Sequence, residues 1–256
     1  MSESLPMTLS PAAPDLRTRL RGYYELTKPR LSGLVLVTVA AGYAMAAGGD
    51  LRLLLLLHTV VGVGLVSGGG GALNMYLERH LDARMNRTRR RPLPAGDVTP
   101  AGALAFGLVA GLSGLAYLAL IVNLLTAVLA AIAFVNYVAV YTPLKTRSTV
   151  NTLVGAVTGA LPPMMGWTAF EGEIGTGGWV VFAILFVWQM PHFLAIAWFC
   201  REDYARVGMK MLSVYDSAEG PMTTRQMALF SLVLIPVSLL PTTTGLADQS
   251  TATPQT

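Results

Sequence analysis

The sequence predicts an all-α protein that crosses a membrane about seven times. Hydrophobic residues make up 53% of the chain, charged residues make up 12%, and the mean hydropathy is +0.55. The charged residues are clustered between long uncharged runs, and a membrane-spanning helix needs roughly 20 apolar residues. Strands are not expected, because an open sheet edge cannot face lipid.

The uncharged runs define the spans in chain order. The run 98–144 is long enough for two spans, and Asn123 near its middle marks the turn between them. The polar residues 1–22 lack the apolar core of a signal peptide, so we expect a disordered cytoplasmic lead there and a polar tail at 246–256. Residues 23–245 are expected to form one transmembrane domain. Its predicted spans are 31–49, 53–76, 101–121, 124–142, 150–168, 179–200 and 226–245.

The basic residues predict the orientation of these spans. If the N-terminus is cytoplasmic and the spans alternate, every Lys and Arg except Arg52 lies on the cytoplasmic side. This asymmetry predicts a multi-pass protein of the cell inner membrane with a cytoplasmic N-terminus. It also accounts for the pI near 9.4, so nucleic acid is not an expected partner. Cys200 is the single cysteine, which excludes an internal disulfide and a cysteine metal cluster.

A stripe of polar residues ends the second predicted span. Asn74, Glu78 and Asp82 are spaced i, i+4 and i+8, so they share one face of a helix. Carboxylate and amide oxygens next to guanidinium groups are typical of a site where a divalent metal ion and arginines together bind a polyanion. A polar helix end with positive-inside charges would explain the arginines but not the spacing of the acids. The arginines after Glu78 are Arg79, Arg84, Arg87, Arg89, Arg90 and Arg91.

Two long cytoplasmic loops, 78–99 and 200–225, each begin with acids and continue with bases. This similarity suggests two half-sites that face each other. In the second loop Asp203 is the better candidate for a shared site, and the alternative is a solvated loop acid. The glycine run 68–71 in span 2 predicts close contact with another helix.

Two further groups of candidates lie near the ends of later spans. Tyr141 ends the fourth span, and Lys145 and Arg147 follow it at the membrane edge. The two cations either neutralise a phosphate, with Tyr141 donating a hydrogen bond, or anchor the chain to the membrane surface. His192 lies within span 6 next to Pro191, and an ionisable residue within a span is a functional hypothesis. Its imidazole would either bind a porphyrin iron or hydrogen-bond a neighbouring helix.

The stripe and the arginine-rich stretch after it resemble the first acidic motif of the UbiA superfamily of intramembrane prenyltransferases. That motif is usually written N-x-x-x-D-x-x-x-D, and Glu78 here stands in place of its first aspartate. Segments 141–167 and 188–208 resemble the branch of the superfamily that farnesylates protoheme IX. The resemblance covers roughly residues 23–245, although the family usually has nine spans and the second motif lacks a D-x-x-x-D pair around Asp203.

The resemblance implies transfer of a farnesyl group from farnesyl diphosphate to a vinyl group of protoheme IX (heme b). Water adds, and the products are heme O and diphosphate, for use in heme–copper oxidases. The implied partners besides the bilayer are a heme A synthase or oxidase assembly proteins. The implied roles are catalysis by Asn74, Glu78, Asp82 and Asp203; Mg²⁺ binding by Glu78, Asp82 and Asp203; diphosphate binding by Arg87, Arg90, Arg91, Tyr141, Lys145 and Arg147; and heme binding by His192.

Three other functions remain open from the sequence. One is a related enzyme that prenylates an aromatic quinone precursor. A second is a transporter, although the acids lie at one membrane edge and not at the midplane where transporter sites are usually found. A third is an inactive paralogue that binds heme without chemistry.

Overall fold

The computed structural model describes residues 15–246, and within this range the chain is helical with no strand. The prediction of an all-α bundle is therefore confirmed. Helices α5 and α6 each continue into a π-helical turn, at Leu118–Val122 and Asn136–Tyr141. The helices are α1 Leu16–Leu26, α2 Pro29–Ala47, α3 Leu53–Asp82, α4 Pro92–Ala95, α5 Pro100–Tyr117, α6 Leu124–Val135, α7 Thr142–Leu144, α8 Asn151–Glu171, α9 Gly175–Phe199, α10 Arg201–Arg206, α11 Leu212–Tyr215, α12 Pro221–Ser238 and α13 Leu240–Thr243.

Six helical segments of the described chain are long and apolar enough to cross a membrane, which makes the protein a multi-pass integral membrane protein. Each predicted span overlaps one long helix. The fifth, α8, is 21 residues long but is not among the six, because two prolines, several glycines and polar residues dilute its hydropathy. Most of its side chains from Ala160 to Ala169 are buried. Helix α8 is thus the interior helix of the bundle.

Helices α2 and α8 cross with their backbones in direct contact. A β-carbon at Gly166 would lie 1.9 Å from the carbonyl oxygen of Val39, and one at Gly42 would lie 2.0 Å from the carbonyl oxygen of Pro163. Real β-carbons do not approach backbone atoms this closely, so the two helices can pack here only because both positions are glycine.

We expect Gly166→Ala to lower the free energy of unfolding by roughly 2–3 kcal/mol, because the added methyl group must force α2 and α8 apart. Gly33→Ala is the matched control. It lies on α2, the helix against which Gly166 packs, but no atom lies within 4 Å of its added β-carbon. It should be neutral or slightly stabilising, since alanine favours helix over glycine. Thermal unfolding of both variants in detergent measures the difference, and equal melting temperatures would contradict the packing argument.

The N-terminal lead begins its helical structure earlier than predicted. Helix α1 starts at Leu16, so residues 16–22 are helical and not disordered. The carboxylate of Asp15 accepts a hydrogen bond from the amide of Thr18 at 2.9 Å and caps the helix. Gly22 then packs on Val98. The rest of the predicted lead, residues 1–14, and residues 247–256 of the predicted tail lie outside the described residues.

The two charged cytoplasmic loops pack against each other through a small apolar cluster. Met85 from the first loop is buried with Val207, Met209 and Met211 from the second. The guanidinium of Arg84 also donates to the carbonyl oxygen of Arg206 at 3.3 Å. The two loops therefore contact each other at the end of α3.

Candidate active site

The polar stripe of α3 forms one wall of a small cavity at the end of the bundle. Asn74, Glu78 and Asp82 are 1%, 4% and 0% exposed, although all three are strongly polar. Because α3 continues without a break to Asp82, the three side chains lie on successive turns of one face. The cavity has a volume of about 70 Å³. Its lining residues are Lys28, Asn74, Glu78, Asp82, Met85, Arg87, Arg91, Tyr141, Lys145, Tyr204, Met209 and Met211.

Each carboxylate in the cavity is paired with a cation from another part of the chain. Lys145 donates to Oε1 of Glu78 at 2.7 Å, and the side chains are 13% and 6% exposed. One guanidinium nitrogen of Arg91 lies 2.9 and 2.8 Å from the two oxygens of Asp82. Burial would lower the pKa of Lys145, but its electrostatic interactions with Tyr141 and Glu78 and its hydrogen bond to Glu78 outweigh that effect and raise the pKa above its usual value. The side chain of Lys145 therefore stays protonated around neutral pH.

The π-helical turn Asn136–Tyr141 supplies the aromatic side of the site. Tyr137 and Tyr141 stack with ring centroids 5.8 Å apart, and Lys145 lies over the Tyr141 ring at 4.6 Å from its centroid. Single π-helical turns are frequent at functional sites, since they re-aim side chains within an otherwise regular helix. Here the turn brings both tyrosines toward the stripe of α3.

Lys28 reaches the cavity although nothing in its sequence context separates it from the other basic residues before the first span. It lies between α1 and α2, where its ammonium group donates to Oδ1 of Asn74 and to the hydroxyl of Tyr137. Burial, together with the positive charges of Arg91 and Lys145, lowers the pKa of Lys28 to about 7. Three basic side chains this close together repel one another, and a bound anion would reduce that repulsion. Met85, Tyr204, Met209 and Met211 also line the cavity without having been expected there.

Asp203 does not line the cavity, although it was expected to bind metal beside Glu78 and Asp82. Its two carboxylate oxygens each accept a hydrogen bond at 3.2 Å, from the amides of Asn86 and Arg87, and Arg206 donates to one of them at 2.6 Å. Desolvation opposes ionisation, but these three donors outweigh it and lower the pKa of the carboxyl below its ordinary value. The carboxylate therefore anchors the loop that carries Arg87 and Arg91.

Three other candidates also lie outside the cavity. Arg90 and Arg147 are both exposed, whereas Arg87, Arg91 and Lys145 line the cavity. The direction of a side chain in an irregular loop depends on tertiary contacts, so adjacent arginines cannot be told apart by spacing. His192 is exposed on α9, and its ring stacks on Trp188 with centroids 5.1 Å apart and planes 18° apart.

The oxygen donors of the cavity are of a kind that would suit a magnesium ion. No group of three or more His, Cys, Asp or Glu side chains in metal-binding geometry occurs within residues 15–246. Two carboxylates and the amide oxygen of Asn74 nevertheless face one cavity. Mg²⁺ is usually bound by one or two carboxylates together with substrate phosphates and water, so the smaller set of oxygen donors suits it.

Known proteins resemble this chain in sequence and in fold. The model of the UbiA prenyltransferase family matches residues 35–252. A protoheme IX farnesyltransferase from an Anaeromyxobacter species is 49% identical over 91% of this chain and 79% of its own length. One from Solibacter usitatus is 44% identical over 90% of this chain and 82% of its own length. The solved structure of a digeranylgeranylglyceryl phosphate synthase matches this fold with a TM-score of 0.74. The match covers 89% of this chain and 79% of the synthase chain, and the sequences are 16% identical, so it supports the fold alone.

Proposed function

The chain belongs to the UbiA prenyltransferase family, and on that premise we propose that it farnesylates protoheme IX. The C1–O bond of farnesyl diphosphate breaks, and the allylic carbon bonds to a vinyl group of the porphyrin. Water adds its hydroxyl to the remaining vinyl carbon and releases a proton, so that the products are heme O and diphosphate. The relatives named above, at 44–49% identity over about nine-tenths of this chain, support this choice of acceptor.

The observation that carries the proposal is the pairing of acids and bases in one small cavity. Diphosphate is a good leaving group only when its negative charge is neutralised, and preorganised cations supply that neutralisation without reorganisation during the reaction. Lys145 and Arg91 pair with Glu78 and Asp82 in the cavity. When the diphosphate enters, the two cations turn to its oxygens, and Arg87 joins them.

The two carboxylates released by this exchange, with Asn74, would hold Mg²⁺. The ion supplies charge neutralisation of the diphosphate oxygens as a Lewis acid. The described residues supply the rest. Tyr141, which lines the cavity, would donate a hydrogen bond to the same anion. The α3 stripe would hold the leaving group at the membrane edge, and the apolar farnesyl chain would extend toward the bundle.

His192 is proposed to bind protoheme through its imidazole. The ring is exposed and lies parallel to Trp188, which leaves a nitrogen available to an iron atom at the side of α9. His192→Ala should weaken protoheme binding by about 5- to 150-fold, because one lost ligand or hydrogen bond costs on the order of 1–3 kcal/mol. Titration of protoheme into purified protein, followed by its visible absorbance, measures this change.

The control for His192 is His58→Ala, which removes an imidazole that is hydrogen-bonded to Tyr117 at 2.6 Å in another part of the bundle. It should leave protoheme affinity unchanged. Affinity for farnesyl diphosphate should be unchanged in His192→Ala, since His192 does not line the cavity. Equal loss of both ligands would indicate that His192 braces α9 instead.

The function itself is tested by expressing the chain in membranes and supplying farnesyl diphosphate, Mg²⁺ and protoheme. Pigment extraction and mass analysis should show protoheme increased by one farnesyl group and one hydroxyl group. If an added quinone precursor is farnesylated and protoheme is unchanged, the acceptor is an aromatic ring and not protoheme. Absence of any prenylated product would favour the inactive heme-binding protein.

We also propose that the protein lies in the inner membrane with its N-terminus in the cytoplasm. The basic residues near the ends of the spans support this orientation, and the cavity would then open toward cytoplasmic, water-soluble Mg²⁺. We include in this proposal the exchange of heme with a heme A synthase or with oxidase assembly proteins.

A further inference from the structure

Lys28 occupies an unusual backbone position at the entrance to α2. It is the only non-glycine residue with a positive φ within residues 15–246, at φ 51° and ψ 59°. Residues other than glycine and asparagine are disfavoured in this left-handed region of backbone angles. A strained residue stays there only where the surrounding structure holds it in place. The next residue, Pro29, begins α2 and prevents the strained turn from relaxing into a longer helix.

The glycine run 68–71 of α3 is what makes room for this turn. A β-carbon at Gly71 would lie 3.0 Å from the carbonyl oxygen of Leu26 and 3.5 Å from Cγ of Lys28. The aliphatic stem of Lys28 therefore lies along the glycine face of α3 and directs the ammonium group to Asn74, one turn further along the same helix. The glycines that were predicted to allow close helix contact therefore also position the ammonium group of Lys28.

The ammonium group of Lys28 is held by neutral partners in a closed set of hydrogen bonds. It donates to Oδ1 of Asn74 and, at 3.0 Å, to the hydroxyl of Tyr137. The amide of Asn74 donates to Oγ1 of Thr142 at 2.9 Å, and Thr142 donates to the carbonyl oxygen of Tyr137 at 2.8 Å. Three separate elements therefore fix the position of the ammonium group in the cavity.

The charges of the cavity are unequal. Lys145 and Arg91 each pair with a carboxylate, whereas Lys28 and Arg87 form no ion pair with an acid in the described part of the chain. The lining therefore carries four basic and two acidic side chains. The volume of about 70 Å³ is far below the roughly 300–1,000 Å³ of pockets that enclose larger organic ligands, so it suits a small anion.

We infer that Lys28 is a binding residue for the diphosphate group of the prenyl substrate. This inference rests on the proposed function for the identity of the anion. The ammonium group would exchange Asn74 and Tyr137 for phosphate oxygens, which frees the amide oxygen of Asn74 at the same moment that the α3 carboxylates are released. Lys28 would then keep its contact with the diphosphate after the C1–O bond has broken.

The test is the affinity of the detergent-purified protein for inorganic diphosphate with Mg²⁺, measured by calorimetry. Lys28→Met should weaken binding by about 10- to 100-fold, because a charge-assisted hydrogen bond is lost. Lys28→Gly should lose as much, and it suits the positive φ, so it keeps the test valid if the methionine variant does not fold. Lys28→Arg should recover most of the affinity. Arg30→Met is the matched control, since it removes an exposed cation two residues away and should change nothing.

Unchanged diphosphate affinity in both Lys28→Met and Lys28→Gly would overturn the inference. So would an equal loss in Arg30→Met, since that points to general surface charge. A loss of protoheme affinity with diphosphate affinity intact would also overturn it, because Lys28 would then bind the propionates of the porphyrin. Failure of the proposed function is a separate outcome: wild-type protein would give no farnesylated protoheme while still binding diphosphate through Lys28.

Discussion

Asp82→Asn is expected to reduce turnover by more than about 100-fold while the protein stays folded. The side chain is fully buried, and both of its oxygens contact the guanidinium of Arg91. The amide keeps the size of the side chain but removes the negative charge that would hold Mg²⁺. Loss of such a ligand removes several kcal/mol of stabilisation of the developing diphosphate charge, and each 1.36 kcal/mol is a tenfold change in rate. Steady-state farnesylation by membranes of the variant measures the effect.

Two further variants make this measurement specific. Glu202→Gln removes an exposed carboxylate from the same loop region as Asp203 and should leave turnover near the wild-type level. Asp203→Asn distinguishes between two roles for Asp203, one as a metal ligand and the other as an anchor of the first loop. If Asp203 is an anchor, the substitution should displace Arg87 and so weaken the binding of farnesyl diphosphate. The Mg²⁺ concentration that gives half-maximal rate should then stay unchanged. A near-normal rate in Asp82→Asn, or a shifted Mg²⁺ dependence in Asp203→Asn, would show that the assignment of oxygen ligands is wrong.

Lys145→Met is expected to lower turnover by about 100- to 1,000-fold, comparable to the loss of one preorganised donor from an oxyanion site. Lys145 is the cation nearest to Glu78, at 2.7 Å, and its side chain is 13% exposed. It would be the first group to neutralise the leaving diphosphate when Glu78 turns to the metal. Arg147→Met is the matched control, because that cation lies two residues away, is exposed and does not line the cavity. It should retain near-normal turnover.

Lys145→Met also leaves the buried carboxylate of Glu78 without its partner, and an unpaired buried charge can destabilise a protein by about 3–5 kcal/mol. The double variant Lys145→Met/Glu78→Gln separates this effect from catalysis, because it restores neutrality. Its melting temperature should return toward the wild-type value while its turnover stays low. Recovery of turnover in the double variant would mean that Lys145 serves only to neutralise Glu78 during folding.

The sequence by itself determined the features that depend on local pattern. The all-α bundle, the approximate position of every long helix and the shared face of Asn74, Glu78 and Asp82 follow from hydropathy and from the helical repeat. These properties depend on residues that are close along the chain, where the geometry is set by a rise of 1.5 Å and 3.6 residues per turn. The resemblance to the UbiA superfamily, which rests on the same motifs, is confirmed by the match over residues 35–252.

Only the tertiary structure decided which charges complete the site. Arg87 and Arg91 line the cavity and Arg90 does not, and Lys145 lines it whereas Arg147 is exposed. Asp203 anchors the first loop, and Lys28 arrives from a part of the chain 46 residues before Asn74. Loop backbones and long flexible side chains have no fixed repeat, so their directions are set by the elements that pack on them. Spacing along the chain can therefore identify the helix face that carries the acids, but the cations that meet it are selected by contacts between distant segments.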